Sequence, residues 1–211
     1  MRSTAVFDLS TPAGRRLAWW HFQLVDHAFL RALWSNRDQV APGVYRSNHP
    51  SQRRIARLAA QGFRTVVSLR GSQPTSFNLI EADACQRLGV TLVSHRLSAG
   101  DLPPRAELLA LYQTFLTAEK PMVIHCKSGA DRSGLAAALY QIMVCNTPVA
   151  VAAHQLHWRY LHFSNGPRGV LDYMLNTYAK AEAAAGISML DWITTTYDPV
   201  ALTRAFKAGA R

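Results

Sequence analysis

The order of strand-like and helix-like runs between residues 43 and 143 limits the fold of this chain more than any other feature. Short runs rich in β-branched residues, typical of buried strands, are GVYRS, RTVVSLR, VTLVSHRL and MVIHC. Helical patterns separate them, one of which begins after Ser51 and stops at Gly62. Because strands joined through helices pair in parallel, we predict an α/β fold. Its central, mainly parallel sheet of four to five strands is flanked by helices, with further helices at both ends of the chain.

The length of 211 residues suits one domain with extensions. We predict an N-terminal helical extension over residues 1–40 and a main domain over residues 41–211. The core of that domain is expected over about residues 43–145, and its C-terminal helices over residues 147–211.

Residues 14–34 of the extension read as a single helix with a broad apolar face that carries several Trp, Phe and Leu side chains. The face could pack on the protein's own core, which we favour. It could also lie on a membrane surface, an arrangement that the flanking Arg15, Arg16 and Arg31 would assist.

The chain is strongly basic, with a formal net charge of +10, and 19 of its 23 basic residues are arginine. An anionic substrate, nucleic acid and an acidic membrane surface all suit such a charge. The three cysteines are too few for a disulfide or zinc framework and indicate a reducing compartment. The sequence contains no apolar run long enough to span a bilayer, and MRSTAVFDLS does not look like a secretory signal. We therefore expect a cytoplasmic protein.

The stretch HCKSGADRSG carries the chemistry, because it runs from the end of a predicted strand into the start of a predicted helix. A helix N-terminus binds anions, and the loop formed by Lys127, Ser128, Gly129, Ala130 and Asp131 could wrap its N–H groups around one tetrahedral anion. Arg132 could grip two oxygens of that anion. Cys126 lies at the mouth of this cradle, where positive charge favours the thiolate. The unit can therefore bind a phosphate and attack it.

This stretch resembles the signature of the cysteine-based protein tyrosine and dual-specificity phosphatases, in which His-Cys is followed by five residues and then Arg-Ser or Arg-Thr. Upstream, GVYRSNHPSQRRIARLAAQGFRTVVSLRG is similar to the opening segment of compact bacterial and plant-type members. The resemblance covers about residues 43–145.

The resemblance implies a phosphatase that uses no metal or other cofactor. Cys126 would form a cysteinyl-phosphate intermediate, and Arg132 would bind the phosphoryl group. Ser133 would hydrogen-bond the sulfur, and His125 would help to hold the thiolate. The loop residues Lys127, Ser128, Gly129 and Ala130 would bind the substrate phosphate.

Two carboxylates could supply the proton that the leaving group needs. Asp101 follows a predicted strand, as the mobile-loop acid of this family does, although it lies only 25 residues before Cys126. Its other role would be to cap the next helix. Asp131 lies inside the cradle, as in bacterial phosphatases that also act on phosphoinositides. It would otherwise brace the loop.

The substrate is expected to be protein phosphotyrosine, with phosphoserine or phosphothreonine as further substrates. Lys127 also follows the cysteine in tensin-homologue lipid phosphatases, which makes a phosphoinositide or inositol phosphate the alternative, with peripheral contact to an anionic membrane. The second lysine of that pattern is replaced by Ala130.

Other classes of function are less well supported. A silent phosphate-binding module is disfavoured because Cys126, Arg132 and Ser133 are all intact. Removal of RNA 5′ phosphates would suit the charge, but no RNA-recognition motif is present, so nucleic acid is not an expected partner. The cluster of Arg53, Arg54 and Arg57 could bind anionic lipid or nucleic acid, although such clusters are usually solvated.

Overall fold

The structure, a computed structural model, describes residues 7–98 and 100–210. The first six residues of the predicted extension, residue 99 and residue 211 therefore lie outside the described part. The strands are β1 (Asp38–Ala41), β2 (Val44–Ser47), β3 (Thr65–Ser68), β4 (Thr91–Ser94) and β5 (Met122–His125). The α-helices are α1 (Pro12–Leu24), α2 (Gln52–Ala60), α3 (Ser76–Arg87), α4 (Arg105–Thr117), α5 (Asp131–Met143), α6 (Val149–Ala152), α7 (Val170–Ala185), α8 (Met189–Thr195) and α9 (Pro199–Lys207).

The strands form one sheet in the order β1-β2-β5-β3-β4, and β1 alone runs antiparallel to its neighbour. The predicted α/β fold is confirmed. The end of β5, at His125, pairs with Ser47 of β2 and with Ser68 of β3. The residues that follow these three strands therefore meet at one edge of the sheet, where open α/β sheets bind their ligands.

Successive side chains of β5 point to opposite faces of the sheet, as in any strand. Met122 and Ile124 belong to the larger hydrophobic core, which also contains buried residues of α4, α5, α7 and α8. Val123 belongs to a smaller core with Ile55 of α2 and Ala84 of α3. Helices therefore cover both faces of the sheet. The edge at the carboxyl end of β5 is where loop residues can form a site.

The predicted single helix over residues 14–34 is interrupted. Helix α1 begins after the N-cap Thr11 and ends at Leu24, and a short 3₁₀ segment occupies Ala28–Ala32. Asp26, between the two segments, and Arg31, within the second, are both buried, and Nη2 of Arg31 lies 2.7 Å from Oδ2 of Asp26. Because a buried carboxylate needs such a partner, the chain leaves the helical path that its apolar pattern favours.

Only a narrow strip of α1 packs on the protein. Ala18 and Phe22 are buried against Ile80 of α3. The other large apolar side chains of α1 and of the turn after it stay exposed, namely Leu17, Trp19, Trp20, Leu24, Val25, Phe29, Leu30 and Leu33. Across the described residues, every helix is too short or too polar to cross a bilayer.

Candidate active site

The cradle lies at the carboxyl end of the central strand β5. Cys126 directly follows the strand, residues 127–130 form the loop, and α5 begins at Asp131. Gly129 adopts a φ of 76°, which side chains other than hydrogen disfavour. A Cβ at this position would also lie 2.6 Å from the backbone nitrogen of Asn48 and 2.8 Å from the carbonyl carbon of Ser47. Glycine is therefore required for the loop to close against the end of β2.

Cys126 is buried, and the backbone N–H of Gly129 donates to its Sγ at 3.3 Å. Burial alone would raise the pKa of this thiol. The charge of Arg132 and hydrogen bonds from Ser133 and Gly129 outweigh burial, so that the pKa of Cys126 is lowered. In contrast, burial raises the pKa of Cys85 to about 12 and also raises the pKa of Cys145. Cys126 is thus the cysteine that the surroundings favour as a thiolate.

Arg132 and Ser133, at the start of α5, flank the sulfur. Nη1 of Arg132 donates to the carbonyls of Leu69 at 3.3 Å and Leu97 at 3.5 Å, while its buried Nε has no hydrogen-bond partner among the described residues. That unpaired donor fits an oxyanion. The Ser133 hydroxyl lies 3.3 Å from the carbonyl of Ser47 and can give its one proton to that oxygen or to the sulfur of Cys126.

His125 faces an acceptor with each ring nitrogen. Nδ1 lies 3.2 Å from the carbonyl oxygen of Cys126, and Nε2 lies 2.7 Å from Oε1 of the buried Glu81. His49 lies beside His125 and Glu81. The side-chain atoms of these three residues that could bind a metal all lie within 4.8 Å of one another. Two ligands of a tetrahedral zinc ion stand roughly 3.3 Å apart. The shorter distance between His125 and Glu81 fits a direct pair instead.

Arg46 of β2 holds the outer side of the loop, a role that the sequence did not reveal. Its side chain is fully buried, and Nη2 donates to the carbonyls of Gly129 at 2.6 Å and Ala130 at 3.1 Å. Nη1 donates to the carbonyl of Gln155 at 2.6 Å. Burial lowers the pKa of Arg46 to about 10. By binding the carbonyls from outside, Arg46 turns the opposite N–H groups of the loop toward the cradle.

Residues before β1 also hold the loop. The carbonyl of Ser128 accepts hydrogen bonds from the indole of Trp34 at 3.1 Å and from Nδ2 of Asn36 at 2.9 Å. Lys127, 42% exposed, lies with its Nζ 3.4 Å from Oδ1 of Asp26, which also pairs with Arg70 at 2.6 Å. The N-terminal segment is therefore part of the cradle's support, and Asp26 neutralises part of the positive charge beside it.

Asp101 stands on an exposed loop near the cradle. Its side chain is 61% exposed, and Oδ1 lies 3.4 Å from Nζ of Lys207 on α9. Leu97, at the start of this loop, contacts Arg132 through its carbonyl. The loop is thus linked to Arg132 at its first residue, whereas the carboxylate of Asp101 contacts α9.

Asp131 has a different environment. It is buried and accepts from Nδ1 of His162 at 2.8 Å, and its other oxygen lies 3.2 Å from Nε of Arg168. Nε2 of His162 lies 2.8 Å from Oδ2 of Asp172. Both carboxylate oxygens of Asp131 are therefore held by side chains that follow α5 in the chain. This geometry fits the bracing role of Asp131 better than proton donation.

The His162 pairs predict a dependence of stability on alkaline pH. Burial acts to lower the pKa of His162, but Asp131 and Asp172 outweigh burial and raise the pKa from its ordinary 6.5 to about 9. A raised folded-state pKa gives stability that is fully present below pH 6.5 and is lost as the pH rises through 9. We expect the free energy of unfolding in urea to fall by a few kcal/mol across this window.

The matched control is His162→Gln, which has no charge to lose. Its free energy of unfolding should be lower at pH 6.5 and should change less between that pH and pH 9. Equal slopes for the wild type and the variant would rule out this pair as the source of the dependence.

Comparisons with known proteins agree with this geometry. A family model described as a DSP-PTPase phosphatase fused to NAD+ kinase matches residues 20–165. The dual specificity protein phosphatase TpbA of Pseudomonas aeruginosa strain UCBPP-PA14 is 32% identical over 142 residues, which are 64% of this chain. The match spans 55% of the TpbA sequence, about half of its length.

Solved structures share the fold. The crystal structure of P. aeruginosa TpbA is 22% identical, with a TM-score of 0.54, and the match covers 82% of this chain and 91% of that one. TpbA in complex with phosphotyrosine matches with a TM-score of 0.51 at 22% identity, covering 83% and 97% of the two chains. A putative phosphatase from Shewanella putrefaciens CN-32 is 16% identical, with a TM-score of 0.55 and coverage of 68% and 93%. The cradle, the fold and the family match together place this chain in the family of dual-specificity-type phosphatase domains related to those fused to NAD+ kinase.

Proposed function

We propose that this protein hydrolyses phosphate monoesters through a cysteinyl-phosphate intermediate. The observation that carries the proposal is the placement of Cys126 directly after β5, with a lowered pKa and with Arg132, Ser133 and the N–H of Gly129 around its sulfur. Phosphate bound in the cradle would meet a thiolate aligned for attack. The charge on the phosphoryl oxygens would be balanced by Arg132 and the loop N–H groups.

The proposed reaction has two steps. In the first, Sγ of Cys126 bonds to phosphorus, the bond from phosphorus to the ester oxygen breaks, and the leaving oxygen takes a proton from Asp101. In the second, a water molecule gives a proton to the Asp101 carboxylate and attacks phosphorus, and the sulfur departs as a thiolate. Ser133 stabilises the departing thiolate by donating a hydrogen bond to it, and keeps its own proton. The products are an alcohol or phenol and inorganic phosphate.

The substrate we propose is protein phosphotyrosine, with activity on phosphoserine or phosphothreonine as well. The relationship to TpbA, which has been solved with phosphotyrosine, supports this choice. A phosphoinositide or inositol phosphate is the second candidate, because Nζ of Lys127 is part-exposed beside the cradle. The ion pair of Lys127 with Asp26 weighs against it, since the carboxylate already neutralises charge that a second phosphate would need.

The test is phosphate release from phosphotyrosine peptides, phosphoserine peptides, phosphoinositides and inositol phosphates, with EDTA present throughout. We expect the largest kcat/KM for the phosphotyrosine peptides. A higher kcat/KM for the inositol compounds would transfer the proposal to the second candidate. No release from any of these by the folded wild type would contradict the enzymatic proposal and favour a phosphate-binding module.

Asp101→Asn and Asp131→Asn separate the two carboxylates. We expect Asp101→Asn to lower kcat for phosphotyrosine by roughly a hundredfold, since it removes the proton donor. Its effect should be much smaller with an aryl phosphate whose leaving group is acidic enough to depart unprotonated. Asp131→Asn should mainly lower the free energy of unfolding, because it breaks the contacts with His162 and Arg168. The reverse pattern would make Asp131 the acid.

We also propose a domain organisation and a cellular location for this protein. Residues 1–40 would form an extension that braces a phosphatase domain over residues 41–211, helical at α1 and joined to the sheet through β1. The free state of the three cysteines and the need for a reduced Cys126 support a cytoplasmic location. The exposed apolar side chains of α1 and the following turn support peripheral contact with a membrane.

A further inference from the structure

A cavity of about 340 Å³ opens between α1, the turn that follows it and the start of α2. The residues that matter among those lining it are Arg31, Arg53, Arg54, Arg57, His49 and Phe29. We call it the arginine cavity. It is separate from the phosphate cradle, because no residue between Cys126 and Ser133 lines it.

The positive charge of the arginine cavity is only partly balanced. Arg31 pairs with Asp26, and Arg54 donates to the uncharged amide oxygen of Asn48. Within residues 7–98 and 100–210, no carboxylate forms an ion pair with Arg53, Arg54 or Arg57. Burial, and after it the charges of Arg37 and Arg57, lower the pKa of Arg54. Arg53, Arg54 and Arg57 thus lie close together without a carboxylate to balance their charge. An anionic ligand would balance it.

His49 adds a buried polar group without a hydrogen bond to the same cavity. Its side chain is 3% exposed, and neither ring nitrogen has a hydrogen-bond partner in the described part of the chain. Oε1 of Glu81 faces Nδ1 at 3.9 Å, which is beyond hydrogen-bond distance. Buried polar groups in proteins are normally paired. Helix α2 also starts here, at the N-cap Ser51, with no acidic residue in its first turn. The free N–H groups of a helix start attract anions, so the cavity combines three kinds of donor.

The surroundings of the cavity are apolar. Phe29 lines the cavity and is 53% exposed, and Leu24, Val25 and Leu33 are also exposed on α1 and the turn. A neighbouring cavity of about 300 Å³ shares Arg53 and is lined by Trp19, Phe22 and Ile80. Arginines beside exposed Trp, Phe and Leu side chains are typical of protein surfaces that lie on anionic bilayers.

We propose that the arginine cavity binds the phosphate headgroup of an anionic phospholipid while the exposed apolar side chains of α1 and the turn enter the membrane interface. A phosphopeptide would supply the anion but would leave these apolar side chains in water, so the lipid accounts for more of the surface. The site goes beyond the catalytic reaction and can be tested in protein that does not turn over substrate.

The site is connected to the catalytic centre. The backbone N–H of His49 donates to the carbonyl of Lys127 at 3.3 Å, and the His49 ring packs edge-on against His125 with 4.9 Å between ring centroids. A headgroup bound at His49 would therefore be linked to the nucleophile through His125, which contacts His49 and directly precedes Cys126. Membrane binding would place the cradle at a fixed height above the lipid surface.

The experiment uses the full chain carrying Arg132→Met, so that the cradle cannot capture a headgroup. Co-sedimentation is measured with vesicles of phosphatidylcholine alone and of phosphatidylcholine with phosphatidylglycerol. We expect binding only to the anionic vesicles. Arg53→Glu with Arg57→Glu should lower the partition coefficient at least about tenfold. The matched control, Arg64→Glu with Lys180→Glu, reverses the same number of charges at exposed positions outside the cavity and should change it by less than about twofold.

A second pair of variants tests the apolar part. Phe29→Ser with Leu33→Ser should weaken binding, whereas Leu88→Ser with Leu116→Ser, at positions that are also exposed but lie elsewhere, should not. Equal losses in the test and control pairs would overturn the proposal, as would no binding of the parent protein to anionic vesicles. Binding of soluble glycerol phosphate or a phosphopeptide as tight as that of vesicles would overturn the choice of a lipid. Circular dichroism of each variant excludes unfolding as the cause.

Discussion

Cys126→Ser is expected to abolish turnover, with kcat for phosphotyrosine peptides falling by a factor on the order of 10⁴ or more. A serine hydroxyl at this position would stay protonated, because the cradle that favours a thiolate cannot ionise an alcohol near neutral pH. The loop N–H groups and Arg132 would still be in place. Phosphate and vanadate should therefore still bind to the variant. Such binding would show that the site of the variant is folded.

Cys145→Ser is the matched control for this prediction. Cys145 is exposed and free, and it lies after α5. Its replacement should leave kcat and KM unchanged. If Cys126→Ser kept more than about one per cent of the wild-type kcat, a covalent phosphocysteine would not be the route of the reaction.

Arg46→Met has the second largest expected effect, on both stability and activity. The change leaves the buried carbonyls of Gly129, Ala130 and Gln155 without their donor. We expect the free energy of unfolding to fall by roughly 3 kcal/mol or more. We also expect kcat/KM to fall by about a hundredfold, because small displacements of groups that orient a substrate are costly.

Arg46→Lys keeps the charge but provides one donor head in place of the planar fork, so its losses should be intermediate. Arg64→Met, at an exposed position in front of β3, is the control and should change little. The kcat/KM values of the wild type and the variants are compared at a temperature where urea titration shows all of these proteins to be folded. A folded Arg46→Met protein with wild-type kcat/KM would show that the loop keeps its shape without this residue.

Much of the catalytic loop could be predicted because its determinants are local. Ten residues contain all of its parts: the strand end, the glycine turn, Arg132 and the helix start. The alternation of strands and helices around the loop could also be predicted from short-range sequence patterns. The predicted stop at Gly62 is confirmed, because α2 ends at Ala60 and Gly62 has a positive φ. Whether Asp101 donates the proton stays a prediction, since its side chain is exposed and contacts Lys207.

The supports of the loop could not be predicted, because each depends on residues distant in the chain. Arg46 reaches Gly129 across 83 positions, and Asn36 reaches Ser128 across 92. Arg46 lies in the predicted strand GVYRS, and nothing in that segment identifies its partners. For His162, whose sequence neighbours suggest an ordinary surface or core histidine, there was no local signal of the pair with Asp131.

The bracing of the loop by residues far along the chain has a consequence for protein synthesis. Asn36 ties the loop to the carbonyl of Tyr160, and His162 and Arg168 hold Asp131. A ribosome releases the nucleophile's segment before these partners. A nascent chain that has emerged only as far as Tyr160 therefore has Cys126 and its earlier support Arg46, but not His162 and Arg168. We expect such a chain to be inert toward phosphoesters while it is still tethered. The enzyme would then become competent only after Arg168 has emerged.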